Sequence, residues 1–121
     1  MKIKVGINGM GRIGRMVLRA IYENQYKNIE IKHINNRTNS EACSALLKYD
    51  SIHGKFNADV KFDKDHLIIN ENKILFSQES KIEDIEWKKQ GVDYVFECTG
   101  KFNSKDQLMP NLENGVKKVI V

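Results

Sequence analysis

Apolar positions along this chain fall into two rhythms. Ile3, Val5 and Ile7 alternate with polar or small neighbours, so Lys2 to Asn8 predicts a short strand. From Arg12 the period lengthens. Ile13, Met16, Val17, Ala20 and Ile21 recur at three- and four-residue spacing, which is one face of a helix. The polar run Asn24 to Asn28 closes that helix, and Ile29, Ile31 and Ile34 predict a second strand. Strand, turn, helix and strand fill roughly 34 residues, the size of one crossover unit. A right-handed crossover lays its two strands parallel and adjacent.

The remaining pattern is more broken. Ser40 is a candidate cap for a short helix carrying Ala42, Cys43, Ala45, Leu46 and Leu47. Tyr49 to Phe56 reads as a loop. Val60, Phe62, Leu67, Ile68 and Ile69 come in short runs, followed by Ile74, Leu75 and Phe76, with Asn70-Glu71-Asn72-Lys73 as a hairpin turn. This stretch predicts a small antiparallel insertion. Ile82, Ile85 and Trp87 suggest a short helical turn, and Val92 to Cys98 a buried strand. Leu108, Met109 and Leu112 mark a further helix that Pro110 should kink or shorten, with Asn114-Gly115 as its stop. Lys117 to Val121 begins another strand. Because the chain ends inside that apolar run, a fragment of a longer protein is expected.

Composition narrows the class. The chain has 121 residues, 40% hydrophobic and 30% charged, which fits one globular domain or part of one. Its net charge of +4 is spread over scattered lysines, so no nucleic-acid partner is expected. No apolar run has the length of a membrane span, and no signal segment opens the chain, so a cytoplasmic location is expected. Cys43 and Cys98 lack metal or disulfide spacing, and His33, His53 and His66 are not spaced as ligands, so no metal site is expected.

The candidate chemistry lies in Gly9-Met10-Gly11-Arg12-Ile13-Gly14. Gly9 permits a tight turn out of the strand. Gly11 lets a pyrophosphate approach the backbone, and Gly14 lets the helix pack hard on the strand. The helix N-terminus then offers unpaired N–H groups to the phosphates. The strand before the loop and the helix and strand after it supply the context this motif needs. The expected fold is therefore α/β: a Rossmann-type doubly wound, mostly parallel sheet with a small antiparallel insertion. An acidic residue is expected about 20 residues further on to bind the adenosine ribose. Asn35-Asn36-Arg37 stands there instead. Asn36 cannot repel a 2′-phosphate, and Arg37 could pair with one, so NADP is a candidate cofactor beside NAD.

Three ordered segments carry a family resemblance. Val5 to Arg15, Leu47 to Phe56 and Glu97-Cys98-Thr99-Gly100-Lys101-Phe102 resemble motifs of phosphorylating glyceraldehyde-3-phosphate dehydrogenase, with Met10 where phenylalanine is usual and Cys98 where serine is common. The resemblance covers essentially the whole chain. It implies that Asn8, Gly9, Gly11 and Gly14 form the cofactor loop, with Arg12 and Ile13 meeting the pyrophosphate through backbone. It puts Asn36 in place of the ribose-binding aspartate, and Thr99, Gly100 and Phe102 along the cofactor groove. Ser80 stands where the family often has an arginine. The implied reaction oxidises and phosphorylates glyceraldehyde 3-phosphate through a cysteine thiolate, with a histidine base. Both of those residues are expected beyond Val121, so no catalytic residue is expected within residues 1–121, and the chain alone is expected to be inactive. Cys43 reads as core and Cys98 as packing. The resemblance also implies a homotetramer. Two alternatives stand beside it: a non-catalytic nucleotide-binding module, and erythrose-4-phosphate dehydrogenase within the same fold.

Overall fold

The computed structural model describes residues 3–24, 28–48, 58–101 and 104–121. The loop expected over Tyr49 to Phe56, with His53, lies outside the described residues, as does Phe102. The first crossover forms as its periodicity predicts: β1 (Ile3–Asn8), α1 (Arg12–Glu23) and β2 (Ile29–Asn35). β1 and β2 pair in parallel. Then come α2 (Ser40–Lys48), β3 (Val60–Asp63), β4 (His66–Ile69) and β5 (Asn72–Ser77). Two 3-10 turns, Ile82–Asp84 and Trp87–Gln90, lead into β6 (Tyr94–Glu97), α3 (Lys105–Glu113) and β7 (Lys118–Ile120).

All seven strands join one sheet in the order β3-β4-β5-β2-β1-β6-β7. The five from β5 to β7 run parallel. β3 and β4 add antiparallel at one edge, which is the small insertion expected. The chain builds outward from β1 to one side, then returns to its other side with β6. The break in strand order therefore falls beside β1, where doubly wound sheets open a ligand crevice at the carboxyl ends of their strands.

The sheet is packed on both faces. Tyr94 and Phe96 of β6 turn to the larger core around Val5, Ile7, Leu18 and Ile34. Val95 between them turns to a second core with Ile85, Trp87, Val92 and Val116. That is the period-two alternation of a strand. β2 departs from it by one residue. Val5 pairs with Ile31 and Gly6 with His33, so Lys32 is an extra residue in the ladder. The bulge explains the three-residue gap between Ile31 and Ile34, which both enter the larger core. It also turns His33 to the other side, where its ring meets Trp87 edge-on at 4.7 Å between centroids.

Three local details differ from the sequence reading. Asn39 caps α2, accepting from the Ala42 N–H at 2.9 Å, while Ser40 begins the helix and donates to the Asp63 carbonyl. The hairpin turn is two residues, not four: Asn70 and Glu71 both take positive φ, 50° and 72°, and Ile69 pairs directly with Asn72. α3 runs through Pro110 to Glu113. Its start is held by a capping box between Ser104 and Gln107, and Asn114 with Gly115 at φ +89° ends it as expected.

Candidate dinucleotide site

The three glycines of the loop meet different demands. Gly9 sits at φ +97°, and a side chain there would come within 2.7 Å of the Thr99 methyl. A Cβ on Gly14 would collide with the Gly9 carbonyl, so the first turn of α1 lies directly against the end of β1. A Cβ on Gly11 would meet nothing within 4 Å. That open space lies at the start of α1, where no side chain caps the helix and no acidic residue occupies the first turn. The orphan N–H groups and the positive end of the helix dipole are left for an anion. Arg15 steadies the loop by donating to the Met10 carbonyl at 3.1 Å.

Beside this loop a cavity of ≈ 250 Å³ crosses the carboxyl ends of the parallel strands. The end of β1 and the loop after it contribute Asn8, Gly9 and Gly11, and the end of β2 and the segment after it contribute Asn35, Asn36 and Arg37. The segment after β5 adds Glu79, Ser80, Ile82 and Ile85, and the end of β6 adds Cys98, Thr99 and Lys101. Of the residues the sequence singled out, Asn8, Gly9, Gly11, Asn36, Arg37 and Thr99 thus share one cavity. Arg12, Ile13 and Gly14 open α1 next to it without lining it, and Gly100 lies between two lining residues at φ +75°. Asn35, Glu79, Ile82, Ile85 and Lys101 line it without having been expected as site residues, and Ser80, at the position where an arginine is usual, lines it as well.

Asn36 reaches the site through the glycine loop. Its Oδ1 accepts from the Met10 N–H at 3.0 Å. Its Nδ2 donates to Thr38 Oγ1 at 2.6 Å and to Cys43 Sγ at 3.1 Å. The side chain is neutral and tied to the loop. Cys43 is buried in the larger core, as its helical face implied. Cys98 is partly buried, and burial, with the Glu97 charge second, pushes its thiol up to about 11. It therefore stays protonated near neutral pH and is a poor nucleophile.

A polar chain runs under the cavity floor. His33 Nε2 meets Ser77 Oγ at 2.8 Å, and Ser77 Oγ donates to Asn35 Oδ1 at 2.7 Å. Asn35 Nδ2 donates to Asn8 Oδ1 at 3.0 Å, and Asn8 Nδ2 donates to Glu97 Oε1 at 2.7 Å. Glu97 Oε2 accepts from Thr99 Oγ1 at 2.6 Å and from the Thr99 N–H at 3.1 Å. Ser77 spends its proton on Asn35, so His33 donates from Nε2 and its buried Nδ1 carries no proton and has no partner. Burial lowers the His33 imidazole to about 4, against a smaller opposing effect of Glu86. Among the described residues no cluster of His, Cys, Asp or Glu could hold a metal ion. None of their helices is long and apolar enough to cross a membrane.

Residues 3–105 match the family described as "Glyceraldehyde 3-phosphate dehydrogenase, NAD binding domain". The chain is 45% identical over 121 residues to glyceraldehyde-3-phosphate dehydrogenase of Priestia megaterium, covering 100% of this chain and 36% of the relative. It is 43% identical over 122 residues to glyceraldehyde-3-phosphate dehydrogenase 2 of Bacillus subtilis, covering 100% and 35%. It is 42% identical over 119 residues to the Chlamydia pneumoniae enzyme, covering 98% and 35%. The chain thus spans about a third of the length of the curated relatives it matches.

Proposed function

The chain belongs to the glyceraldehyde 3-phosphate dehydrogenase NAD-binding-domain family, and from that membership we propose that residues 1–121 are the cofactor-binding part of a phosphorylating, NAD-dependent aldehyde dehydrogenase. The proposed enzyme converts glyceraldehyde 3-phosphate, NAD(P) and inorganic phosphate to 1,3-bisphosphoglycerate and NAD(P)H, working as a cytoplasmic homotetramer. One observation carries the reading: the uncapped N-terminus of α1 opens at Gly11 onto free space beside a cavity across the strand ends. Those features fit a dinucleotide, with the pyrophosphate over Gly11 to Ile13 and the rest along the Asn36 and Thr99 sides. The chemistry supplied by the bound group would be hydride acceptance. This chain's own residues bind and orient it. The protonated Cys98 supports placing the reacting cysteine outside these residues.

A second reading concerns the cofactor's 2′ position. Asn36 presents no carboxylate, its amide is spent on Met10, Thr38 and Cys43, and Arg37 lines the cavity beside it. No charge at position 36 repels a 2′-phosphate, and a guanidinium is available to one, so we propose that NADP is accepted beside NAD. Calorimetric titration of the protein with both cofactors tests this. Saturable binding of NAD, with NADP within about tenfold (~1.4 kcal/mol), is expected. A hundredfold preference for NAD would overturn the second reading alone, and binding of neither would overturn both.

A further inference from the structure

We propose that Glu97 is a positioning residue for the cofactor cavity, acting as the acceptor-only end of a one-way hydrogen-bond chain. The inference rests on the dinucleotide reading above and adds the group that holds its two walls in register. One wall is the Thr99 turn after β6. The other is the Glu79 segment after β5.

The direction of the chain is set at fixed points. The Glu79 N–H and Ser77 Oγ both donate to Asn35 Oδ1, at 2.9 and 2.7 Å. A backbone N–H cannot reverse, so this pins the amide orientation of Asn35. Its Nδ2 must then donate, and it does so to Asn8 Oδ1 and to the Glu79 carbonyl at 2.9 Å. That pins Asn8, whose Nδ2 is left to donate to Glu97 Oε1. From the other side the Thr99 N–H, again irreversible, donates to Glu97 Oε2. Thr99 Oγ1 also donates there and accepts from the Lys101 N–H at 3.1 Å, which closes the turn. Glu97 therefore receives donors at both oxygens and has none to give. It is 5% exposed, and Asn8 and Asn35 are 2% and 3% exposed, so water cannot easily stand in for a lost partner.

A carboxylate is the one side chain of this size that accepts at both ends. Glu97→Gln keeps the shape but sets an NH2 group against either Asn8 Nδ2 or the Thr99 N–H. Buried donor–donor contacts of this kind carry the full desolvation cost of the unpaired group. The chain also predicts its own repair. In the double variant Asn8→Asp/Glu97→Gln, the introduced carboxylate at position 8 accepts from Asn35 Nδ2 and from the introduced amide at position 97. The amide oxygen at 97 keeps both Thr99 donors. Asn8→Asp alone sets two carboxylates face to face.

The experiment measures NAD dissociation constants of the protein and the three variants, at a temperature where circular dichroism shows all four folded. Backbone amide exchange at Thr99 and Lys101 is followed in parallel without cofactor. Glu97→Gln is expected to weaken NAD at least tenfold and speed Thr99 exchange. The double variant, whose position 8 itself lines the cavity, should return cofactor-free Thr99 exchange to within threefold of the parent. Glu97→Gln with NAD affinity and Thr99 exchange both within twofold of the parent, or a double variant whose Thr99 exchange is no slower than that of Glu97→Gln, overturns the proposal. If the parent itself binds no NAD, the dinucleotide reading fails by that result, and the exchange data alone then support or overturn the role of Glu97.

Discussion

His33 shows how much one side chain can commit. It is buried between Ser77 and the Trp87 ring, donates from Nε2 and keeps a bare Nδ1. Its folded imidazole titrates at about 4, against an ordinary 6.5. Between those values the unfolded chain holds more protons, so stability rises with pH across the window and is lost as pH falls through it. A loss of about 2 kcal/mol between pH 7 and pH 5 is expected from this group. Urea unfolding at both pH values should show that His33→Gln removes this part of the pH dependence. An undiminished slope in the variant would contradict the assignment. The same residue was not legible in the sequence, where it passed as one histidine among three. The glycines of the loop were legible, because each is constrained by atoms a few residues away or by the helix that follows. The Asn8, Asn35 and Glu97 network was not, because its partners are 27 and 89 residues apart. One trace of it was present: three apolar runs each end on a buried polar residue.

At the scale of elements, periodicity gave way wherever a backbone irregularity intervened. The bulge at Lys32 turns His33 toward Trp87 and lets Ile31 and Ile34 share a face. Without the ladder, their three-residue spacing has no strand explanation. α3 had weak periodicity because it buries little, and it persists through Pro110 because both of its ends are held. Asn114 Nδ2 donates to the Ile82 and Ile85 carbonyls at 3.1 Å each. The β4–β5 turn is the element most open to improvement. Glu71 sits at φ 72° in a two-residue turn whose second position favours glycine. Glu71→Gly is expected to stabilise the protein by roughly 0.5–1 kcal/mol, since relief of the left-handed strain exceeds the added chain entropy. Thermal unfolding would register this as a rise in Tm, and a fall in Tm would contradict the turn assignment.

For the molecule as a whole, the first crossover, the edge insertion and the last strands were all readable from the chain, so the sheet class followed. Strand order could not be read that way, since it depends on β6 returning to the free side of β1. That return makes the site. It brings Cys98, Thr99 and Lys101 opposite the glycine loop and leaves the cavity between them. It also explains why Lys101 and Glu79 were missed: Lys101 lies inside the third resembling segment with no role of its own there, Glu79 lies in no motif, and topology places both at the cavity. The central claim is that this crevice and the α1 N-terminus hold a dinucleotide. Gly11→Ala tests it most directly, because the added methyl meets no protein atom within 4 Å and Gly11 already has a φ of −73° that alanine adopts freely. Titrating NAD into the parent and this variant should give saturable binding that weakens at least tenfold in Gly11→Ala while Tm stays within about 2 °C, the shift of roughly 0.5 kcal/mol. Equal NAD affinity in the two proteins, or no binding to the parent, would contradict it.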